Sequence, residues 1–208
     1  MGITIFYSGR LRSLEQLPSL IKDVIHQCNQ MKWGYEKILP SFDVPIEGIA
    51  FAPTGSQAIW MTFLENHQLV SPEDYELSRH MGKRIKKDHL METKTHFAGA
   101  TIHMQIITYL RHLSDTYFSA FSLVDESQYW ETNDKICCEN EFRFMEKWVG
   151  QMICRLDALD GRVGEVGRSG EIMDERIMDL LRRMDPMDVV ENLHTPPPKK
   201  EIVGFFLN

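Results

Sequence analysis

The stretch Pro45-Ile46-Glu47-Gly48-Ile49-Ala50-Phe51-Ala52-Pro53-Thr54-Gly55-Ser56-Gln57-Ala58-Ile59-Trp60-Met61-Thr62-Phe63-Leu64 decides the fold. Two short runs of β-branched, aromatic and small apolar residues flank Thr54-Gly55-Ser56-Gln57, which has the composition of a hairpin turn. In the second run Ile59, Met61 and Phe63 alternate with Trp60, Thr62 and Leu64, and both faces are apolar, as in a strand covered on both sides. Consecutive strands without an intervening helix imply antiparallel pairing.

Working outward, Tyr35 to Leu39 reads as another strand, ended by Pro40. Ile3-Thr4-Ile5-Phe6-Tyr7 reads as the first strand, closed by Ser8-Gly9, and Phe121-Ser122-Leu123-Val124 as a late one. Gln68-Leu69-Val70 adds a short edge piece. Leu14, Leu17, Ile21, Val24, Cys28 and Met31 recur at helical steps. Pro18 is excluded from a helix interior, so that helix begins at Pro18, and Gly34 ends it. Ile102, Ile106, Tyr109, Leu110, Leu113 and Tyr117 mark a second helix from about Ala98, and a third starts near Asp134 and runs to about Leu159. Residues 72–95 lack a period and read as a long loop with room for a short helix. The expected fold is α+β: a mainly antiparallel sheet of about five strands, three helices packed on one face, and a C-terminal helical extension.

In the third helix Cys138, Phe142, Met145, Val149, Met152, Leu156 and Leu159 follow coiled-coil spacing. A long helix packed on the sheet accounts for the same positions. The expected division is an α+β domain over 1–160, then a Gly-rich linker (Gly161 to Gly170), a short amphipathic helix through Met173, Ile177, Leu180, Leu181 and Met184, and an apolar tail, Ile202 to Leu207, over 161–208. A tail of that kind has to be buried on its own domain or on a second subunit, which points to a homodimer.

Composition limits the function. The chain of 208 residues has 30 acidic and 23 basic side chains, a formal charge of -7. An acid excess argues against duplex nucleic acid, whose binding rests on neutralising phosphates. The exception is Arg79 to Lys94, with six basic and two acidic residues, where Lys83, Arg84, Lys86 and Lys87 form a candidate anion-binding segment. No apolar run is long enough to span a bilayer, and the first residues lack the pattern of a signal peptide, so a cytoplasmic location is expected. Four cysteines without a C-x-x-C spacing suit a reducing compartment and disfavour a zinc ribbon. P-loop, nucleophile-elbow, dinucleotide, EF-hand and zinc-finger motifs are missing.

Two clusters carry potential chemistry. His96 and His103 are seven residues apart, nearly two turns, so a helix containing both would set the imidazoles on one face about 10 Å apart. Imidazole is a good metal ligand and a base near neutrality. The plainer arrangement has His96 preceding the helix and His103 flanking its core face. The second cluster, Asp125, Glu126, Glu131 and Asp134 around Tyr129-Trp130, holds carboxylates beside aromatic rings, a setting that raises carboxyl pKa values.

Lys94-Thr95-His96-Phe97-Ala98-Gly99 through His103, with Tyr129-Trp130-Glu131-Thr132, is similar to a group of uncharacterised bacterial proteins. The resemblance covers roughly residues 3–150. It implies a bacterial protein and transfers no activity and no site residue.

The leading expectation is a protein-binding or interaction module without a cofactor, whose acidic surface meets a basic partner face. One concrete version is an immunity-type protein that neutralises a toxin, with electrostatic steering speeding capture. The alternative is a small hydrolase. There His103 and Glu131 are catalytic, His96 and His103 hold a divalent metal, and Lys83, Arg84, Lys86, Lys87, Tyr129 and Trp130 bind substrate.

Overall fold

The computed structural model describes residues 2–86 and 89–160, without the side chains of 152 and 154–160. The Gly-rich, amphipathic and tail segments expected over 161–208 lie outside the described residues. The chain divides into two compact units, residues 1–150 and 151–208, and the account below concerns the first.

The elements run β1 (Thr4–Leu11), α1 (Leu17–Met31), β2 (Gly34–Ile38), β3 (Glu47–Ala52), β4 (Ile59–Phe63), α2 (Pro72–His80), β5 (Met91–Lys94), α3 (Gly99–Tyr117), β6 (Phe118–Asp125), α4 (Tyr129–Thr132) and α5 (Lys135–Asp160). The α+β class and the antiparallel pairing hold. The single five-stranded sheet with three helices does not: among the described residues there are two three-stranded antiparallel sheets, ordered β5-β1-β6 and β2-β3-β4, and five α-helices, the short α2 and α4 being additional to the three expected. The segment around Gln68 and Leu69 stitches them, with isolated bridges Arg10↔Gln68 and Phe63↔Leu69. β1 makes this possible by dividing one edge. Thr4 to Tyr7 pair with β5, while Gly9 O and Leu11 N bond to Leu69 N and His67 O.

β5 falls inside the segment read as a loop. Four residues with two polar side chains carry no periodic signal, and Met91-Glu92-Thr93-Lys94 is extended because β1 pairs with it. α2 supplies the short helix there, capped by Ser71, whose hydroxyl accepts from Asp74 N at 3.0 Å. The first helix begins at Leu17, with Pro18 in its first turn. It ends at Lys32, not Gly34: Lys32 takes the left-handed conformation (φ 57°) and Gly34 opens β2. Asp134 Oδ1 caps α5, accepting from Ile136 N and Cys137 N.

One apolar core joins both sheets to α1 and α3. Ile5 and Tyr7 of β1, Leu20, Val24 and Cys28 of α1, Ile49 and Phe51 of β3, Ile59 and Met61 of β4, and Ile106, Leu110 and Leu113 of α3 are buried in it. Gly9 of β1 leaves the space that the Phe118 and Phe121 rings fill, since a Cβ there would stand 2.7 Å from Phe118. The start of α5 seats Cys138, Phe142 and Met145 on the same core, so the first positions of the coiled-coil spacing serve this chain's own interior.

Candidate functional site

The two expected histidines are parted by the backbone. Residues His96–Ala98 form a 3-10 turn, and Gly99, at φ 77° and ψ 163°, breaks it from α3. That conformation suits only glycine, so His96 and His103 do not share a helix face. They meet instead on one aromatic ring. His96 stacks on Phe142 at 6.5 Å and 10°, and His103 stands edge-on to it at 5.2 Å.

His103 is the centre of a sealed polar cluster. Its Nδ1 lies 2.7 Å from Thr95 Oγ1, its Nε2 2.9 Å from Ser127 Oγ and 3.1 Å from Asp125 Oδ1. The Thr95 hydroxyl donates to Ile3 O and the Ser127 hydroxyl to Asp125 Oδ2. Both ring nitrogens are thus engaged by protein groups, with the Asp125 carboxylate against Nε2. Asp125 also accepts from Ser127 N at 2.8 Å and Trp130 N at 3.0 Å. Burial pushes its carboxyl up, but the hydrogen bond and charge of His103, with the Ser127 donors, outweigh this and hold it below the usual range.

Histidine, aspartate and serine are the residues of a hydrolytic triad, but their order is wrong for one. A triad places carboxylate and nucleophile on opposite ring nitrogens. Here Ser127 and Asp125 share Nε2, and His103 and Ser127 are fully buried. The cluster ties β1, β5, α3 and the end of β6 together.

The other expected residues scatter. Glu131 is exposed on α4 and makes no hydrogen bond to His103; partial desolvation raises its carboxyl, the charge of Asp125 adds to this, and Arg111 opposes it. Tyr129 is buried in the core. Trp130 is half-buried against Phe121, with the Arg111 guanidinium 5.1 Å from its ring and bonded to its carbonyl at 2.7 Å. Lys83, Arg84 and Lys86 are exposed after α2, and Lys87 lies outside the described residues. Among the described residues no group of three or more His, Cys, Asp or Glu side chains stands where it would hold a metal ion. Nor is any helix among them long and apolar enough to cross a membrane.

A concavity lies elsewhere, between α1 and α3. Its volume is about 730 Å³, within the range of ligand sites. One wall is Asp23, Gln27 and Met31, successive steps of four along α1. The other is Thr101, Met104, Gln105, Thr108, Tyr109 and His112 of α3, with Tyr129 and Lys135 at one end. Asp23 organises the opposite end. It accepts from Tyr109 Oη at 3.2 Å and Tyr117 Oη at 3.1 Å, and His112 Nε2 lies 2.8 Å away. Burial raises both phenols and the carboxylate beside them adds to it, pushing Tyr117 up to about 12. Sequence reasoning named Met31, Tyr109 and Tyr117 only as core positions and passed over Asp23, Gln27, Thr101, Met104, Gln105, Thr108 and His112, because it followed the apolar face of each helix. The usable signal was the flank: 23, 27 and 31 on α1, and 101, 104, 105, 108 and 112 on α3, each form one stripe.

The chain matches no protein-family model, and no curated protein or solved structure matches it with significance.

Proposed function

We propose that this chain is a protein-binding module that receives a helical segment of a partner in the groove between α1 and α3. The observation that carries the reading is the groove itself: one stripe of α1 and one of α3, each spaced as a helix face is spaced, line a common volume. From Thr101 to His112 the α3 wall is about 16 Å long, near three turns of a docked helix. Met31 and Met104 supply adaptable apolar contact from opposite walls, and Gln27, Gln105, Thr101 and Thr108 supply hydrogen-bonding groups between them. The net charge of -7 favours a basic partner, as an immunity-type protein would meet. The hydrolase alternative gains less from the geometry, because both nitrogens of His103 are engaged and the ring is fully buried.

The test is site-specific photocrosslinking at low salt. A crosslinker at Thr108 or Gln27 should trap a discrete basic partner, and one at Glu36 on β2 should not. Met104→Glu should weaken capture at least about tenfold while leaving the fold intact. Equal trapping from all three positions, or capture indifferent to Met104→Glu, overturns the reading.

A further inference from the structure

The two sheets end differently. β2 closes one: it has five residues, carries Glu36 and Lys37, and is followed by Pro40. Charge, short length and proline are the devices that keep sheet edges from pairing. β6 closes the other with eight residues, and Phe118 to Val124 contain no charge, no proline and no glycine.

The backbone direction at this edge follows from the pairing. Glu126 N donates to Thr4 O and Arg12 N to Tyr117 O, so even-numbered residues of β1 point toward β6. Gly9 O and Leu11 N point the other way, to Leu69 and His67. The register is Phe6↔Val124, Ser8↔Ser122 and Arg10↔Ala120. The inward-directed groups of β6 are therefore those of Ala120, Ser122 and Val124. The N–H and C=O of Phe121 and Leu123 point out from the edge, and among the described residues nothing pairs with them.

We infer that β6 is a self-association edge, joining a second copy of this chain through the same strand, antiparallel, about a two-fold axis at Ser122. In that register Phe121 faces the partner's Leu123 and the reverse, which supplies four main-chain hydrogen bonds. Ala120 lies opposite the partner's Val124, small against large on the exposed face, and Ser122 meets its own copy.

Charge selects this occupant and this direction. At the start of β6 the Arg12 guanidinium is fixed to the carbonyls of Phe118, Thr116 and Asp115, and Arg10 pairs with Ala120. At the far end stands exposed Glu126, its carboxylate accepting from Thr4 N. An antiparallel second copy brings the arginine end of one strand to the Glu126 end of the other. A parallel copy would set like against like. The uncharged middle spares a chain of net charge -7 from repulsion where the strands touch. The outcome is a continuous sheet ordered β5-β1-β6 and then the same three strands in reverse, isologous as a two-fold requires.

Ser122 is exposed, so substitutions there leave the fold intact, which circular dichroism would verify. The measurement is sedimentation equilibrium of the full chain across the micromolar range. The unmodified chain is expected to dimerise. Ser122→Lys alone and Ser122→Glu alone should each weaken self-association by at least about tenfold, because identical charges then meet on the axis. Mixing the two variants should restore a dimer containing one copy of each. Ser122 and its mate form a non-hydrogen-bonded pair, about 4.5 Å between Cα atoms, so Ser122→Cys should crosslink on mild oxidation where the unmodified chain does not. A monomeric unmodified chain overturns the inference. A dimer indifferent to both charges, without the Ser122→Cys crosslink, overturns it too and moves the interface elsewhere.

Discussion

Helix α3 carries two histidines nine residues apart, and each meets a carboxylate that also accepts from hydroxyls. His103 is fully buried with Asp125, Ser127 and Thr95, while His112 is half exposed with Asp23, Tyr109 and Tyr117. The donor types are nearly the same and the surroundings opposite. Around His103 every partner is protein, so each bond is fixed and costly to lose. Around His112 the groove is open: the imidazole is half exposed and Asp23 partly so, and water can stand in for the bond between them at small cost. Chemistry-bearing residues thus mark a structural knot in one place and a surface available to a partner in the other, and access to solvent separates the two.

The largest effect should come from breaking the sealed cluster. Asp125→Ala strips His103 of its carboxylate partner and leaves Ser127 N and Trp130 N without an acceptor. Leaving a buried donor without its acceptor costs about 1–3 kcal/mol each, and several are lost together here. Urea denaturation should register that loss. A change under about 1 kcal/mol would mean that water already reaches the site, and the contrast with His112 would collapse.

Acid offers a gentler probe of the same cluster. The folded carboxyl of Asp125 titrates below its ordinary value of 3.8. The unfolded chain therefore takes up this proton first as pH falls, and the contribution is complete above about pH 4 and fades below it. Urea midpoints measured between about pH 6 and pH 2.5 should drop more steeply in the unmodified chain than in Asp125→Asn, which has no carboxyl to titrate there. Parallel curves would show that Asp125 is not held ionised by its partners.

Much of this was legible in the residues. The hairpin through Gly55, the helix entered at Pro18 and the Asp134 cap follow from local rules that water and backbone geometry impose on any chain. The division into two sheets did not, because it depends on β1 splitting one edge between β5 and Leu69, a tertiary event with no local signature. Met91 to Lys94 shows the same limit: four residues become a strand only because Thr4 to Tyr7 lie alongside. His96 and His103 were singled out as a pair from their spacing alone. Their convergence on Phe142, 39 residues beyond His103, was invisible, because nothing in either segment encodes the other. Asp23 was hidden for the opposite reason: it sits on the flank of a helix whose apolar stripe drew the attention.

The smallest effect should come from the open cluster. Asp23→Asn keeps an acceptor for the tyrosines and removes only the charge, so stability should change by no more than about 1 kcal/mol. The phenols report the change more sharply. Tyr117 is pushed up to about 12, first by burial and then by the Asp23 charge and hydrogen bond. A raised phenol favours the fold below about pH 10 and loses that contribution as pH climbs toward 12, because the unfolded chain releases its proton first. With asparagine at 23 the burial remains and the charge is gone. Ultraviolet titration of tyrosinate should then show Tyr117 ionising at lower pH than in the unmodified chain, assigned by a Tyr117→Phe control. An unmoved titration would mean that burial alone sets the phenol, and that Asp23 does not organise this end of the groove.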